Sequence, residues 1–202
     1  MSANEIAEVV RLLTPTGKLR VGLYLGSPLS LIEDPATGGR NGVGFELGRE
    51  LARRLGVTYD PVVYKQNGEV IGALKAGDVD VLFTNATPAR AKDIDFAALL
   101  KNATVVRTPN LDGGVELLAT GQAEVFATNK TILFELAEKL PGAKVLDGRY
   151  GVEQIAMGIQ KGKEPALAYA RTFIAAVIAG GLVEAAAARA RVRGANVVRS
   201  SA

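Results

Sequence analysis

The 202-residue sequence contains no cysteine, no histidine and no tryptophan. Without cysteine, the chain has no disulfide and no thiolate nucleophile. Without histidine, it lacks serine–histidine–aspartate catalysis, histidine metal sites and the usual proton shuttle near neutral pH. The carboxylates are dispersed along the chain, so no metal-binding cluster is evident. Any chemistry would have to rest on carboxylates, lysine, tyrosine or arginine, and we expect no catalytic residues, no metal and no cofactor.

The sequence also has no large excess of positive or negative charge and no long apolar run. The 24 Lys and Arg residues exceed the 21 Asp and Glu residues only slightly, so the composition does not favour nucleic acid as a partner. The longest apolar stretches, such as Phe173 to Val177, are far too short to span a bilayer. Residues 1–17 carry Glu5 and Glu8 and lack the basic and apolar regions of a signal peptide. A chain from which a leader had been removed would look the same, so the cytoplasm and the periplasm both remain open.

Hydrophobic residues make up 48% of the chain, which is sufficient for a core. Their spacing in the first half alternates between strand and helix periods. We predict strands at Lys18–Leu25, Val57–Tyr64 and Val79–Thr84, and helices at Glu5–Leu13, Phe45–Gly56 and residues 67–76, the last ended by Gly77. This order predicts an α/β fold in which a parallel sheet is covered by helices on both faces.

An internal repeat extends the prediction to the second half. The segment Val62–Asn85 aligns with Val105–Asn129 with one inserted residue, and strand, turn, helix, glycine, strand and a final Thr-Asn recur in order. The repeat predicts two related lobes, which we assign to residues 1–97 with 160–202 and to residues 98–159. We predict the remaining elements as helices at Lys130–Leu140, Pro165–Gly180 and Leu182–Val192 and strands at Lys144–Asp147 and Val152–Ile159.

Both repeats place Thr-Asn where a predicted strand ends. In open α/β sheets, ligands bind beyond the carboxyl ends of the strands, which makes Thr84-Asn85 and Thr128-Asn129 candidate site residues. For Asn129, which precedes a predicted helix, the N-cap position is an equally good explanation. Arg90 follows five residues after Asn85, and a guanidinium grips a carboxylate through two parallel hydrogen bonds.

The run TNATPARAKDIDF, which begins at Thr84, resembles the signature that follows the third strand in amino-acid-type (family 3) solute-binding proteins of ABC transporters. The resemblance continues in Lys18-Leu-Arg-Val-Gly, in Gly44-Phe45-Glu46 and in the stretch Leu117–Asn129, and it covers nearly the whole chain. It implies the periplasmic-binding-protein type II fold, with two related parallel-sheet lobes that close on a small solute. It also implies a periplasmic location and an ABC-transporter permease as partner.

The resemblance implies roles for individual residues as well. Arg90 corresponds to the arginine that binds the ligand carboxylate, helped by Asn85 and by the main chain near Phe83. Thr87 and Asn129 would be further polar partners. Asn129 stands where the family commonly has an aspartate for the amino group, and an amide supplies no negative charge. The expected ligand is therefore a small carboxylate-bearing solute, and one without a cationic amine fits better.

The family pattern is interrupted after Asp95-Phe96. Family members continue through a hinge-crossing strand, a helix and a central strand of the second lobe, whereas this chain runs through residues 97–100 to Lys101 and Val105. The second lobe is thus expected to be truncated. Three explanations stay open: a genuine deletion, a homodimer that exchanges elements, or a sequence assembled across a gap. An unpaired strand edge would be an aggregation hazard, so a genuine deletion favours a dimer.

Three functions follow from these observations. The first is a non-enzymatic clamp for a carboxylate-bearing solute. The second is an enzyme similar to cyclohexadienyl dehydratases, which share this fold and need a carboxylate facing the ligand as general acid. The third is a truncated module that binds no ligand and exists as a dimer.

Overall fold

A computed structural model describes residues 2–34, 36–85, 102–148 and 154–197. The chain divides into two compact units. The first comprises Met1–Asn85, Ile155–Val192 and Asn196–Ala202, and the second comprises Ala86–Gln154 and Arg193–Ala195.

Strands and helices alternate in the first unit as the sequence predicts. Its helices are α1 (Ala3–Leu13), α2 (Val43–Leu55), α3 (Asn67–Ala76), α6 (Glu164–Ala179) and α7 (Leu182–Arg189). Its strands are β1 (Lys18–Tyr24), β2 (Ile32–Glu33), β3 (Arg40–Asn41), β4 (Thr58–Tyr64), β5 (Val81–Asn85) and β6 (Ile155–Ile159). The predicted ends of α2 and α3 are confirmed, because Gly56 and Gly77 adopt left-handed backbone angles there, with φ of 68° and 85°.

A four-stranded sheet in the order β4-β1-β5-β6 forms the centre of this unit. Strands β4, β1 and β5 are parallel, and β6 pairs antiparallel with β5. The parallel sheet with its helices confirms the predicted fold class. Strands β2 and β3 form a separate antiparallel pair. All three parallel strands therefore end at the same edge of the sheet, which we call the carboxyl edge.

Helices α1, α2, α6 and α7 lie on one side of the sheet, and α3 covers the other. Helices pack closely where small residues lie on them: a Cβ added at Gly48 of α2 would lie 2.9 Å from Val21 of β1. The core cluster consists of aliphatic residues together with Phe83 and Phe173. Fully buried members include Val9, Leu13, Leu19, Val21, Leu31, Leu51, Val81 and Val177.

A buried ion pair joins β1 to the residue before β5. Asp80 has no exposed surface and accepts three hydrogen bonds from Arg20: from the backbone N at 2.9 Å, from Nε at 3.1 Å and from a terminal guanidinium nitrogen at 2.7 Å. The backbone N of Asp80 donates in return to the carbonyl of Arg20 at 2.8 Å. These bonds with Asp80 hold the pKa of Arg20 above its usual value. Together they fix the register of β1 against β5 from the amino end of the sheet.

The second unit has the predicted helices but not the predicted strands. Its helices are α4 (Leu111–Ala119) and α5 (Lys130–Lys139). No strand is present among its described residues, 102–148 and 193–195, so the strand predictions at Val105, at Val125–Thr128 and at Lys144–Asp147 are wrong. A strand needs a neighbour to take up its backbone hydrogen bonds, and these described segments have none.

The second unit also has little core. In its described part no hydrophobic side chain is buried, whereas Val106, Val125 and Leu146 are 62%, 68% and 70% exposed. Helix α5 is contacted by Arg193, which lies over the Phe134 ring at 5.0 Å and contacts Glu138 at 2.7 Å.

None of the described helices alone has the length and apolar composition to cross a membrane. Helices α6 and α7 meet those two criteria only as a pair, and the pair is bent by 69°.

Candidate functional site

The carboxyl edge of the first unit gathers polar side chains from β1, β5 and α3. Strand β1 ends at Tyr24, which pairs with Tyr64 at the end of β4. The parallel pairing of β1 with β5 covers Val21–Val81 and Gly22–Leu82, and Tyr24 and Thr84 each lie two residues beyond the last pair. Because side chains alternate along a strand, Tyr24 and Thr84 share the face that Gly22 and Leu82 occupy.

Helix α3 begins at this edge and is tied to Thr84. The Thr84 hydroxyl donates to Oδ1 of Asn67, the first residue of α3, at 3.1 Å. The nearby carboxylate of Glu69 accepts from the backbone N of Lys65 at 3.0 Å and of Gln66 at 3.2 Å, which completes a capping box. Glu69 thus has a structural role, whereas the Asn67 amide nitrogen donates no hydrogen bond within the described part of the chain.

The loop after β1 presents a hydroxyl and closes off the start of α2. The Tyr24 hydroxyl donates to Oγ of Ser27 at 3.2 Å, so the ring lies toward the loop. The carbonyls of Pro28, Leu29 and Ser30 accept from the first three amides of α2 at 3.0–3.1 Å. Because these amides are already bonded, the N-terminus of α2 is not open to an anionic ligand.

The Tyr64 phenol at this edge is neutral at physiological pH. Desolvation raises the pKa of the Tyr64 phenol above its ordinary value, so that group stays protonated. No three His, Cys, Asp or Glu side chains of the described residues are grouped to hold a metal ion. The described edge therefore offers hydroxyl and amide groups, together with the one oxygen of the Glu69 carboxylate that accepts neither of these amide bonds.

The structure describes only some of the predicted site residues of the first unit. Thr84 lies at the carboxyl edge as expected. The Phe83 side chain is only 5% exposed and belongs to the core, which leaves its main chain for the predicted contact. Asn85 ends β5, and its side chain is outside what the structure describes. Thr87 and Arg90 also lie outside the described residues, so their roles remain predictions.

The predicted residues of the second unit, Thr128 and Asn129, directly precede α5. Asn129 occupies the N-cap position, with φ of −58° and ψ of 135°, but its side chain makes no capping hydrogen bond. Both side chains are partly exposed. The capping explanation for Asn129 is thus not seen in the structure, and its contact with a ligand stays a prediction.

The sequence analysis missed Tyr24, Ser27 and Asn67. A usable signal existed, because the rule that singled out Thr84 applies equally to the end of β1 and to the loop that follows β4. Tyr24 lies within the predicted strand Lys18–Leu25, one residue before its predicted end.

A protein family and several solved structures are similar to this chain. Residues 19–189 match the family model of the bacterial extracellular solute-binding proteins, family 3. No curated protein matches the chain. Similar solved structures include a mutant of ArgBP from T. maritima, with TM-score 0.68 and 18% identity over 90% of this chain and 98% of that one.

Two further structures are similar to the chain. The solute receptor for L-cysteine of Neisseria gonorrhoeae has TM-score 0.68 and 19% identity, with 90% of this chain and 92% of that one covered. An ancestral cyclohexadienyl dehydratase has TM-score 0.53 and 22% identity, with 89% and 95% covered. At these identities the likeness shows the fold alone.

Proposed function

The chain belongs to family 3 of the bacterial extracellular solute-binding proteins, and from this premise we propose that it binds a small carboxylate-bearing solute for an ABC-transporter permease. The observation that carries the proposal is the position of Thr84. It ends a parallel strand at the carboxyl edge, bonds to Asn67 at 3.1 Å, and is followed along the chain by Arg90. Binding at such an edge is general for open α/β sheets.

In the proposed site, Arg90 anchors the carboxylate, and Asn85 and Thr87 supply further hydrogen bonds. Thr128 and Asn129 are proposed as further polar ligand contacts. A guanidinium suits this role because its planar fork matches the two carboxylate oxygens. The family is typically extracytoplasmic, and we propose the periplasm as the place of action.

Calorimetry with Arg90→Ala tests this assignment. Hydrogen bonds to charged groups contribute about 1.5–3 kcal/mol, so the affinity for a bound acid should fall roughly 10- to 100-fold. The control is Arg11→Ala, which removes an exposed arginine of α1. Unchanged affinity in Arg90→Ala, with an unchanged melting temperature, would show that another group anchors the ligand.

Catalysis is the rival function, because one structural neighbour is an ancestral dehydratase. A general acid on this fold has to face the ligand. At the described carboxyl edge, the nearby carboxylate of Glu69 is already bonded to two backbone amides. We therefore propose binding without turnover. Conversion of prephenate by the purified protein at a rate above background would contradict this.

The exposed apolar residues of the second unit support one further candidate, a homodimer that completes this unit by exchanging elements. Val106, Val125 and Leu146 are each more than 60% exposed although they lie in extended segments. Light scattering should give the mass of a dimer, and Val125→Asp should shift it toward the monomer. Ile6→Asp, which alters an exposed residue of α1, is the control. A monomer at all concentrations would contradict this candidate.

A further inference from the structure

We propose that the carboxyl edge of the first unit binds the neutral, hydroxyl-bearing part of the solute, and that the ligand class is hydroxylated carboxylic acids. This inference rests on the proposed function, since it names the class of solute for the same site. The residues that carry it are Tyr24, Ser27, Asn67 and Thr84, a set that we call the hydroxyl row.

The hydroxyl row is brought together by the sheet register and by the start of α3. Tyr24 and Thr84 lie near the carboxyl ends of neighbouring parallel strands, and the Thr84 hydroxyl is bonded to Asn67. Ser27 lies against the Tyr24 hydroxyl. All four side chains are partly exposed, so each has both a fixed partner and access to a ligand.

The row offers donors and acceptors in alternation. Thr84 donates to Asn67 Oδ1, which leaves the Asn67 amide hydrogens and the lone pairs of the Thr84 oxygen free to bond. Tyr24 donates to Ser27, which leaves the Ser27 hydroxyl hydrogen and the phenol lone pairs. A ligand hydroxyl is itself donor and acceptor, so adjacent hydroxyls match this alternation. An alkyl chain would leave these polar groups without partners, which is costly in a closed site.

Three described carboxylates on the elements around the row have structural partners. Glu69 is bonded to the amides of Lys65 and Gln66. Asp34 is bonded to the amides of its own turn, which lowers the pKa of its carboxyl, and Glu33 faces Arg40 at 3.6 Å. Both bonds of Glu69 use the same oxygen, so its other oxygen can still pair with a cation, and the preference for hydroxyls comes from the row itself.

The carboxylates at the other end of the sheet are too distant to change this. Asp80 is enclosed by Arg20, and Asp60 lies at the amino-terminal half of β4, 3.9 Å from Lys18. Both therefore lie away from the strand ends where Tyr24 and Thr84 are found. A neutral polar group is the chemistry that the row can pair without leaving a buried charge.

Three probes distinguish the classes of ligand by calorimetry. Gluconate carries a carboxylate and a chain of hydroxyls, hexanoate has the same chain length without hydroxyls, and L-lysine carries a cationic side chain. We expect gluconate to bind at least about tenfold more tightly than hexanoate, because each hydrogen bond contributes several-fold to affinity. L-lysine should bind more weakly than gluconate. Equal affinity for gluconate and hexanoate, or tighter binding of L-lysine, would overturn the inference.

Two conservative variants assign the effect to the row. Tyr24→Phe and Thr84→Val each remove one hydroxyl while keeping the shape, and each should weaken gluconate binding about five- to tenfold. Neither should change hexanoate binding by more than about twofold. Thr172→Val, which removes an exposed hydroxyl of α6 that is bonded to the carbonyl of Ala168, is the matched control. Unchanged gluconate affinity in both variants would overturn the inference.

The failure of this inference is distinguishable from failure of the proposed function. If hexanoate or L-lysine binds and loses affinity in Arg90→Ala, the protein is a carboxylate-binding clamp and only the hydroxyl row is misassigned. If none of the three acids binds or raises the melting temperature of the intact chain, both the proposed function and the inference fail.

Discussion

Removing the charge of Asp80 should destabilise the protein far more than removing an exposed charge of the same kind. Asp80 has no exposed surface and accepts three hydrogen bonds from Arg20, whose own side chain is 20% exposed. The substitution Asp80→Asn keeps the size and one acceptor oxygen. It leaves the guanidinium next to a group without charge, in a place that water does not reach freely.

The magnitude follows from the burial of the pair. Breaking a buried ion pair by removing one partner costs about 3–5 kcal/mol, and the remaining amide oxygen places Asp80→Asn at the lower end, about 3 kcal/mol. Asp60→Asn is the comparison, because Asp60 and Lys18 are 3.9 Å apart with side chains 40% and 57% exposed. An exposed pair of this kind contributes less than about 1 kcal/mol.

Urea unfolding followed by circular dichroism measures both variants. We expect a loss of about 3 kcal/mol for Asp80→Asn and under about 1 kcal/mol for Asp60→Asn. The double substitution Arg20→Met with Asp80→Leu should recover part of the loss, since apolar residues replace a buried pair at little cost. If Asp80→Asn loses less than about 1 kcal/mol, the pair is not the element that fixes β1 against β5, and the reasoning is refuted.

Two further predictions concern packing and pH. Gly48→Ala should cost about 1–3 kcal/mol in unfolding experiments, because the new Cβ would lie 2.9 Å from Val21 and 3.1 Å from Tyr59. Gly72→Ala, in a helix position with open space, should instead stabilise by about 0.5–1 kcal/mol, and equal effects would contradict this. Hydrogen bonds from two arginines of α2 lower the pKa of Glu50 from 4.5 to about 2. Its contribution is therefore present above pH 4.5 and lost toward pH 2, so Glu50→Gln should be less stable than wild type at pH 7, by under about 1 kcal/mol, and equal to it near pH 2.

Much of the first unit was predictable because its signals are local. The helix over residues 67–76 was predicted with both of its ends, since Gly77 stops it and adopts the left-handed conformation that glycine favours. The periodicity of β1, α2 and β4 likewise depends on residues close in sequence. Boundaries differed by one or two residues where side-chain patterns continue past the last hydrogen-bonded turn.

The contacts that define the candidate site are not local and were missed. Arg20 and Asp80 are 60 residues apart, and nothing in either segment alone indicates the other. Thr84 and Asn67 are 17 residues apart, and their bond depends on how α3 lies on the sheet. Thr84 was nevertheless predicted, because the end of a parallel strand can be located from the strand itself. Its partner Asn67 could not be predicted in this way, because their contact depends on how the helix packs on the sheet.

The second unit shows why a correct sequence pattern can still give a wrong element. In the first unit β4 and β5 do not pair with each other, because each pairs with β1 between them. The repeat supplies counterparts of β4 at Val105 and of β5 at Val125, yet the described part of this unit contains no counterpart of β1. The same apolar pattern therefore forms a strand where a central partner exists and an unpaired, exposed segment where none does. Strand formation in this chain is thus set by the neighbour that a segment meets, and the 62–68% exposure of Val106 and Val125 follows from the lack of that neighbour among the described residues.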